Sequence, residues 1–315
     1  MVWLHVQAPK TPSRRTLVQS MRSNKRAHST ETATITGPLH EVLWNQVKFV
    51  QHVGKGADCE GVWRVTIKVQ PFMQQEFVVK VLKKRAFQTE FGCSVQGKGL
   101  VSSLAVINPT SCSCKGGKSV CASIKHTHYG LLMKFADRGT MHKPKFDASA
   151  DVSCVGKTEN EFKQLNMQVR LLLDVLEGLE TWHRHHKVYT DLHGGNVVYF
   201  SDTTARRVKA GIIDLGRVQP MNVQIDGRYP KMSHAEKAVN LTKYSQCAPE
   251  KYDMFATISS STDVYALGRL AETYFPSVCE TYVSWQNLVR RSSSYDPSSR
   301  PTLRECKDVL MAALS

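Results

Sequence analysis

One stretch limits what this chain can fold into more than any other: Val188 to Phe200, VYTDLHGGNVVYF. Apolar, extended-looking residues flank a polar loop in which Asp191 and Asn196 stand five positions apart, with Gly194 and Gly195 just before the asparagine. That spacing suits a rigid loop that turns a carboxylate toward a nucleophilic hydroxyl and an amide toward a bound metal, as phosphoryl transfer needs. Further on, the apolar run Val208 to Ile213 ends in Asp214-Leu215-Gly216. A second carboxylate on a tight turn there can hold the metal from the other side.

Composition leaves room for this reading. Of 315 residues, 41% are hydrophobic, enough to bury a core as one two-lobed domain or as two small ones. A formal net charge of +15 favours anionic partners without distinguishing nucleotide phosphates, acidic peptides, nucleic acid or a membrane surface. No nucleic-acid recognition motif accompanies that charge. Cysteine occurs 9 times, an odd number spread through a long chain, which fits free thiols in a reducing compartment better than a disulfide framework. No run approaches the length of a membrane span, and the opening MVWLHVQAPK has too short an apolar stretch for a secretory signal. Cytoplasm or nucleus is therefore the expected location.

Residues 1–40 carry Lys10, Arg14, Arg15, Arg22, Lys25 and Arg26 with no acid before Glu31, and are expected to form a disordered basic tail ahead of a domain over 41–315. From Gln46 the pattern turns to strands: Val47 to Val53, Val62 to Val69 and Glu76 to Leu82 are rich in β-branched residues. The first two are joined by Gly54-Lys55-Gly56-Ala57-Asp58-Cys59-Glu60-Gly61. Glycine lets backbone amides approach a phosphate closely because no Cβ intervenes, although a plain hairpin turn would look alike. Lys80 falls in the middle of VVKV, a buried-looking strand where an ammonium needs fixed negative charge unless the strand is an edge. Between Lys80 and Tyr129 the sole acid is Glu90, in the helical stretch Lys83 to Phe91. Cys112, Cys114, Cys121, His126 and His128 hold enough donors for zinc, but a hairpin turning at Gly116-Gly117 accounts for them equally. Tyr129 to Phe135 reads as an apolar strand. From about Thr158 a long helix begins, with Val169, Leu172, Leu173, Leu176 and Leu179 at helical spacing and His183, His185 and His186 at its end.

Taken in order, the glycine loop, VVKV, DLHGGN, DLG, Ala248-Pro249-Glu250, Asp263-Val264-Tyr265-Ala266-Leu267-Gly268 and Asp296-Pro297-Ser298-Ser299-Arg300-Pro301-Thr302 resemble the succession of motifs in protein kinases. The resemblance implies an α+β, two-lobed fold, with a small antiparallel β lobe over about 46–135, a larger mainly α-helical lobe over about 136–315, and ATP with Mg²⁺ between them. In that reading Val53, Gly54, Lys55, Gly56 and Val62 cradle the nucleotide, and Lys80 positions its phosphates in an ion pair with Glu90. Met133 closes the back of the pocket, and the backbone of Lys134, Phe135 and Ala136 hydrogen-bonds the adenine. Asp191 orients the acceptor hydroxyl and takes its proton, Asn196 and Asp214 hold Mg²⁺, and His193 stands where Ser/Thr kinases place a lysine on the transferring phosphate. Glu250 is expected to pair with Arg300 and Asp263 to anchor the catalytic-loop backbone.

Departures from the family pattern bear on mechanism. Cys59 occupies the place of the third glycine. Tyr189-Thr190 replace His-Arg, so activity is expected not to depend on a phosphorylated activation loop. Only Pro276 to Glu280 separate the DVYALG helix from the next one, Thr281 to Arg291, which implies a shortened large lobe. Ala248-Pro249-Glu250 favours a protein hydroxyl as acceptor, and Thr242 and Tyr244, one or two places off the family's substrate-loop pattern, give a lean to Ser/Thr. The alternatives are a nucleotide-binding scaffold that has lost catalysis and, third, a small-molecule phosphotransferase, which His193 would suit.

Overall fold

The β-branched runs pair into a sheet whose spatial order differs from their order in sequence. In the computed structural model, which describes residues 40–56, 59–73, 75–93, 97–109, 128–145, 157–224, 233–253 and 256–315, the chain is α+β. It divides into two units, Met1–His40 and Glu41–Ser315. All of the first but His40, and with it the basic tail, lies outside the described residues, as do Cys112, Cys114, Cys121 and His126. Strands β1 (His40–Val42), β2 (Val47–Gly54), β3 (Cys59–Ile67), β4 (Glu76–Leu82), β5 (Ser103–Ile107) and β6 (Tyr129–Lys134) form a six-stranded sheet in the order β1-β5-β6-β4-β3-β2.

The pairs β2/β3, β3/β4, β4/β6 and β5/β6 are antiparallel. Strand β4 therefore has a neighbour on each side, and Lys80 lies across from Val62 and from Leu131 in the sheet interior rather than at an edge. Alternation then sorts its side chains. Phe77, Val79 and Val81 bury against Trp44, Val65 and Ile107, while Leu82 turns to the other face with Leu131 and Phe87. Lys80, two positions from Leu82, shares that second face with helix α1 (Lys84–Gly92). The helix is fastened by Phe87, whose ring stacks 4.4 Å from Tyr129, and it stops at Gly92, a poor helix former.

Two sequence expectations need correction here. Cys59, Glu60 and Gly61 belong to β3 rather than to the loop, because Cys59 already pairs with Leu82 and Gly61 with Val81. Gly61 serves packing: a Cβ there would lie 2.3 Å from the Trp63 ring. The stretch Pro276 to Glu280 is no bare connection either, since Pro276–Thr281 is a short helix of its own.

The remaining chain is mainly helical: α2 (Lys157–Arg184), α3 (His234–Lys243), α4 (Ser260–Tyr274), α5 (Pro276–Thr281), α6 (Val283–Ser292) and α7 (Leu303–Ala312). Val169, Leu172, Leu176, Leu179 and Trp182 of α2 are fully buried in one core with Leu267, Leu270, Trp285 and Leu310, whereas Leu173 is only partly covered. Against α2 lie β10 (Val197–Asp202) and β11 (Arg207–Ile212), antiparallel partners that extend to β7 (Gly139–Thr140) and β8 (Lys143–Pro144). Short pairs join β9 (Lys187–Val188) to β12 (Gln219–Pro220) and β13 (Val223–Gln224) to β14 (Thr257–Ile258). Among the described residues no helix is long and apolar enough to cross a membrane.

The segment at Gly99 ties the sheet to the helices. Gly99 has φ +72, and a Cβ on it would come 2.2 Å from the Asp174 carbonyl oxygen and 2.3 Å from the Gly178 nitrogen, so only glycine can pass α2 this closely. Its carbonyl accepts from Ile212 N at 2.9 Å, and Val101 N donates to the Ile212 oxygen at 3.0 Å. Residues from both regions, Val101, Met133 and Val198, then share a small core with Val78, Phe200 and Ile213.

Candidate active site

The loop 189–196 starts where α2 and β9 end, and Asp263 of α4 determines its shape. This carboxylate is fully buried and accepts from Tyr189 N and Thr190 N, both at 2.8 Å, while its Oδ2 also contacts His183 Nε2 at 2.9 Å. Thr190 needs such support. Its φ of +66 is costly for a β-branched residue and persists only where surrounding contacts enforce it. Two further contacts do so: Thr190 Oγ1 donates to the Arg217 carbonyl at 2.7 Å, and the Lys251 ammonium donates to the Thr190 carbonyl. Tyr189, buried beneath the loop, donates its hydroxyl to the carbonyls of Ile213 and Asp214. Burial, reinforced by the Asp191 and Asp214 carboxylates, holds that phenol well above its ordinary pKa, so it remains a donor.

Asp191 and Asn196 come together as their spacing suggests. Asn196 Nδ2 donates to the Asp191 carbonyl at 3.0 Å and to its carboxylate Oδ2 at 3.3 Å. The amide nitrogen is thereby committed, which leaves Oδ1 as the end suited to a cation. Asn196 also reaches the next turn, because its carbonyl accepts from Ile213 N at 2.9 Å. This bond sets the 189–196 loop beside Asp214. His193 accepts from Gly195 N through Nδ1 at 3.1 Å, which requires the ring proton on Nε2. Burial lowers the His193 pKa, and although Asp191 pulls it up, His142 and Lys251 add to the lowering. The imidazole is therefore neutral at neutral pH.

Across from the loop stands a cluster of buried charge. Lys80 Nζ lies 2.8 Å from Glu90 Oε2 and 2.9 Å from Asp214 Oδ1. Burial alone would push the lysine pKa down, but the two carboxylates outweigh it and hold the pKa above its ordinary value. Asp214 adopts the left-handed conformation with φ 62, accessible to aspartate at small cost, and its side chain is 40% exposed. One carboxylate oxygen thus faces Lys80 and the other is left for a further partner. The Asp214 carboxylate and the Asn196 amide oxygen are hard donors of the type Mg²⁺ takes, one or two from protein with phosphate and water completing the shell. The donor chemistry fits that ion.

Beside the cluster opens a cavity of about 730 Å³ between the loop after β2, α1 and the turn at Gly216, lined by Lys55, Lys83, Arg85 and Arg217 together with Cys59, Glu60, Glu90 and Asp214. Lys55 and Gly56 are exposed, and Val53 is 52% exposed. Gly56 N donates to Cys59 Sγ at 3.1 Å, so that amide is committed to a sulfur. Val62 lies across from Lys80 on β3. Met133 is buried in the core shared by the two regions, beside Ala136. Lys134 sets its ammonium over the Phe200 ring at 4.6 Å, and Phe135 carries the Arg64 guanidinium at 4.9 Å.

The structure brings together Lys80, Glu90 and Asp214, and separately Asp191, Asn196 and His193, with the Asn196–Ile213 bond between the groups. Behind them Glu250 takes Arg300 through paired bonds of 2.7 and 2.8 Å, and Thr262 Oγ1 also donates to Glu250. Reading the sequence missed three supports. Asp174, an acid within the apolar stripe of α2, accepts two bonds of 2.7 Å from Arg207 and one of 3.0 Å from Ala210 N, and so fixes β11, which delivers Asp214. Its place in that stripe was the available signal. The Tyr189 hydroxyl and the Lys251 ammonium carried none, since both act on carbonyls distant in sequence. Compared with models of known protein families and with curated proteins, the chain matches none.

Proposed function

We propose that this chain is a protein kinase, with a kinase-like two-lobed fold, that transfers the γ-phosphoryl group of Mg²⁺-bound ATP to a protein hydroxyl, with Ser/Thr as the preferred acceptors. The observation that carries the reading is the convergence of Lys80, Glu90 and Asp214 beside Asp191 and Asn196, joined through Ile213 N on the Asn196 carbonyl. Acids, an amide and an ammonium from a strand, a helix, a loop and a turn would have no common reason to meet in a purely structural core.

In this reaction Asp191 holds the acceptor hydroxyl by accepting its hydrogen bond. As the acceptor oxygen bonds to the γ-phosphorus, the bond to the β–γ bridging oxygen breaks, ADP leaves, and the hydroxyl proton passes to Asp191. Lys80, kept charged by its two carboxylates, positions the nucleotide phosphates. Asn196 Oδ1 and Asp214 would hold Mg²⁺, whose chemistry is to neutralise phosphate charge. Neutral His193 offers one Nε2–H bond and no permanent charge, which makes modest turnover the expectation. Thr190 ties the loop to Arg217 by a hydroxyl and Tyr189 ties it to Asp214, so the geometry needs no phosphorylated side chain. Activity of the pure protein is expected to survive phosphatase treatment.

A second reading, a nucleotide-binding scaffold, draws on the Cys59 sulfur occupying the Gly56 amide. Transfer of label from γ-labelled ATP by wild type and Asp191→Asn decides between them, with generic protein substrates supplied. A loss of about 10²-fold or more in the variant supports general-base chemistry. Nucleotide binding with no transfer by wild type would leave only the scaffold.

A further inference from the structure

Lys251 is a buried cation for which the foregoing chemistry has no use. It is 8% exposed, and its partners among the described residues are the Thr190 carbonyl oxygen and, at 3.9 Å, the Cys247 sulfur. An ammonium has three donors and a full charge, and a carbonyl with a thiol satisfies neither. Other buried cations here are matched by acids: Lys80 by Glu90 and Asp214, Arg300 by Glu250. Lys251 therefore has spare capacity for an anion.

Its position shows which anion. Lys251 follows Glu250, which Arg300 clamps through its two terminal guanidinium nitrogens, so the lysine stem leaves from an anchored short helix, Pro249–Tyr252. The carbonyl it holds belongs to Thr190, one peptide unit before Asp191. Its field reaches His193 and helps to keep that ring neutral. A positive charge thus sits one peptide unit from Asp191, at the loop where phosphoryl transfer would occur and where charge spreads over the phosphoryl oxygens in the transition state. His193, neutral in its place, cannot supply that charge.

We propose that Lys251 is a catalytic residue whose ammonium contacts the phosphoryl group in flight, providing from outside the 189–196 loop the permanent charge that His193 lacks. The inference rests on the phosphotransferase reading of the site. During transfer the acceptor oxygen–phosphorus bond forms, the bridging oxygen departs with ADP, the acceptor proton goes to Asp191, and Lys251 takes no part in the proton transfer.

Two variants separate charge from support: Lys251→Gln keeps a donor for the Thr190 carbonyl and removes the charge, whereas Lys251→Arg keeps the charge. Affinity for ADP with Mg²⁺ is measured with and without aluminium fluoride, whose planar complex mimics the transferring phosphoryl group, alongside kcat, KM for ATP and thermal unfolding. For Lys251→Gln the expected result is ADP affinity within about twofold of wild type, with a loss of about 10²-fold in the gain conferred by fluoride and in kcat at similar KM. Lys251→Arg should retain most of both. Equal fluoride gain in wild type and Lys251→Gln, or full kcat in Lys251→Gln, would overturn the proposal and leave the site reading intact. Failure of wild type to bind ADP at all would overturn the site reading and this inference with it. If Lys251→Gln does not fold, Lys251→Arg decides alone, since loss of the fluoride gain there despite retained charge and ADP binding overturns a role for the charge.

Discussion

The loop after β2 and the loop at Tyr189 are held in opposite ways. The first is exposed at Lys55 and Gly56 and, among the described residues, is braced by the amide–sulfur bond from Gly56 to Cys59. The second is held by Asp263 at two backbone amides, by the Tyr189 and Thr190 hydroxyls at carbonyls of the opposing turn, by Lys251, and by Asn196 across its own mouth. A lid that must admit and release a ligand needs few bonds; a loop that aims one carboxylate needs many. In the proposed reaction that difference would put rigidity at the acceptor and adaptability at the nucleotide.

Asp263→Ala should break that contrast most severely. Removing a fully buried carboxylate strands the Tyr189 and Thr190 amides and is expected to cost about 3–5 kcal/mol in urea unfolding. A cost below about 1 kcal/mol would mean the loop is not over-determined. Tyr189→Phe, which removes only the hydroxyl on the Ile213 and Asp214 carbonyls, should cost about 1–2 kcal/mol.

On the loosely held side the sign should differ. Cys59→Ala is expected to cost about 1 kcal/mol or less and, by releasing the Gly56 amide, to tighten ADP binding in calorimetry. Weaker binding in that variant would show that the sulfur organises the loop instead of competing with phosphate.

The smallest effect is a pH slope at His193. Its folded pKa is lowered, first by burial, while the unfolded ring titrates near about 6.5. Between the two values the unfolded chain binds more protons, so stability falls as pH drops below the unfolded value and stops falling below the folded one. His193→Gln should flatten that part of a plot of unfolding free energy against pH. An unchanged plot would mean the ring is not held neutral by its surroundings.

Much of this cleft was legible because its signals are local. VVKV announced a strand with a lysine inside it, and the structure has Lys80 in a strand paired on both sides. The spacing of Asp191 and Asn196 announced one turn, and the two side chains bond across it. Glu90 was reached because no other acid was near in sequence, and it meets Lys80 at 2.8 Å. The start of β3 was misplaced because Glu60 and Gly61 look like loop residues; pairing with β4 overrode their propensity.

Residue types and spacings by themselves determined which segments extend, which coil, and which polar side chains share a turn, since those depend on neighbours along the chain. Only the tertiary structure decided that Asp174 would brace β11, that Cys59 would take the Gly56 amide, and that Lys251 would lie buried against the Thr190 carbonyl. Each of these is a bond to a backbone group presented by folding. Every residue offers the same amide and carbonyl, so nothing in a side-chain pattern marks which will be chosen.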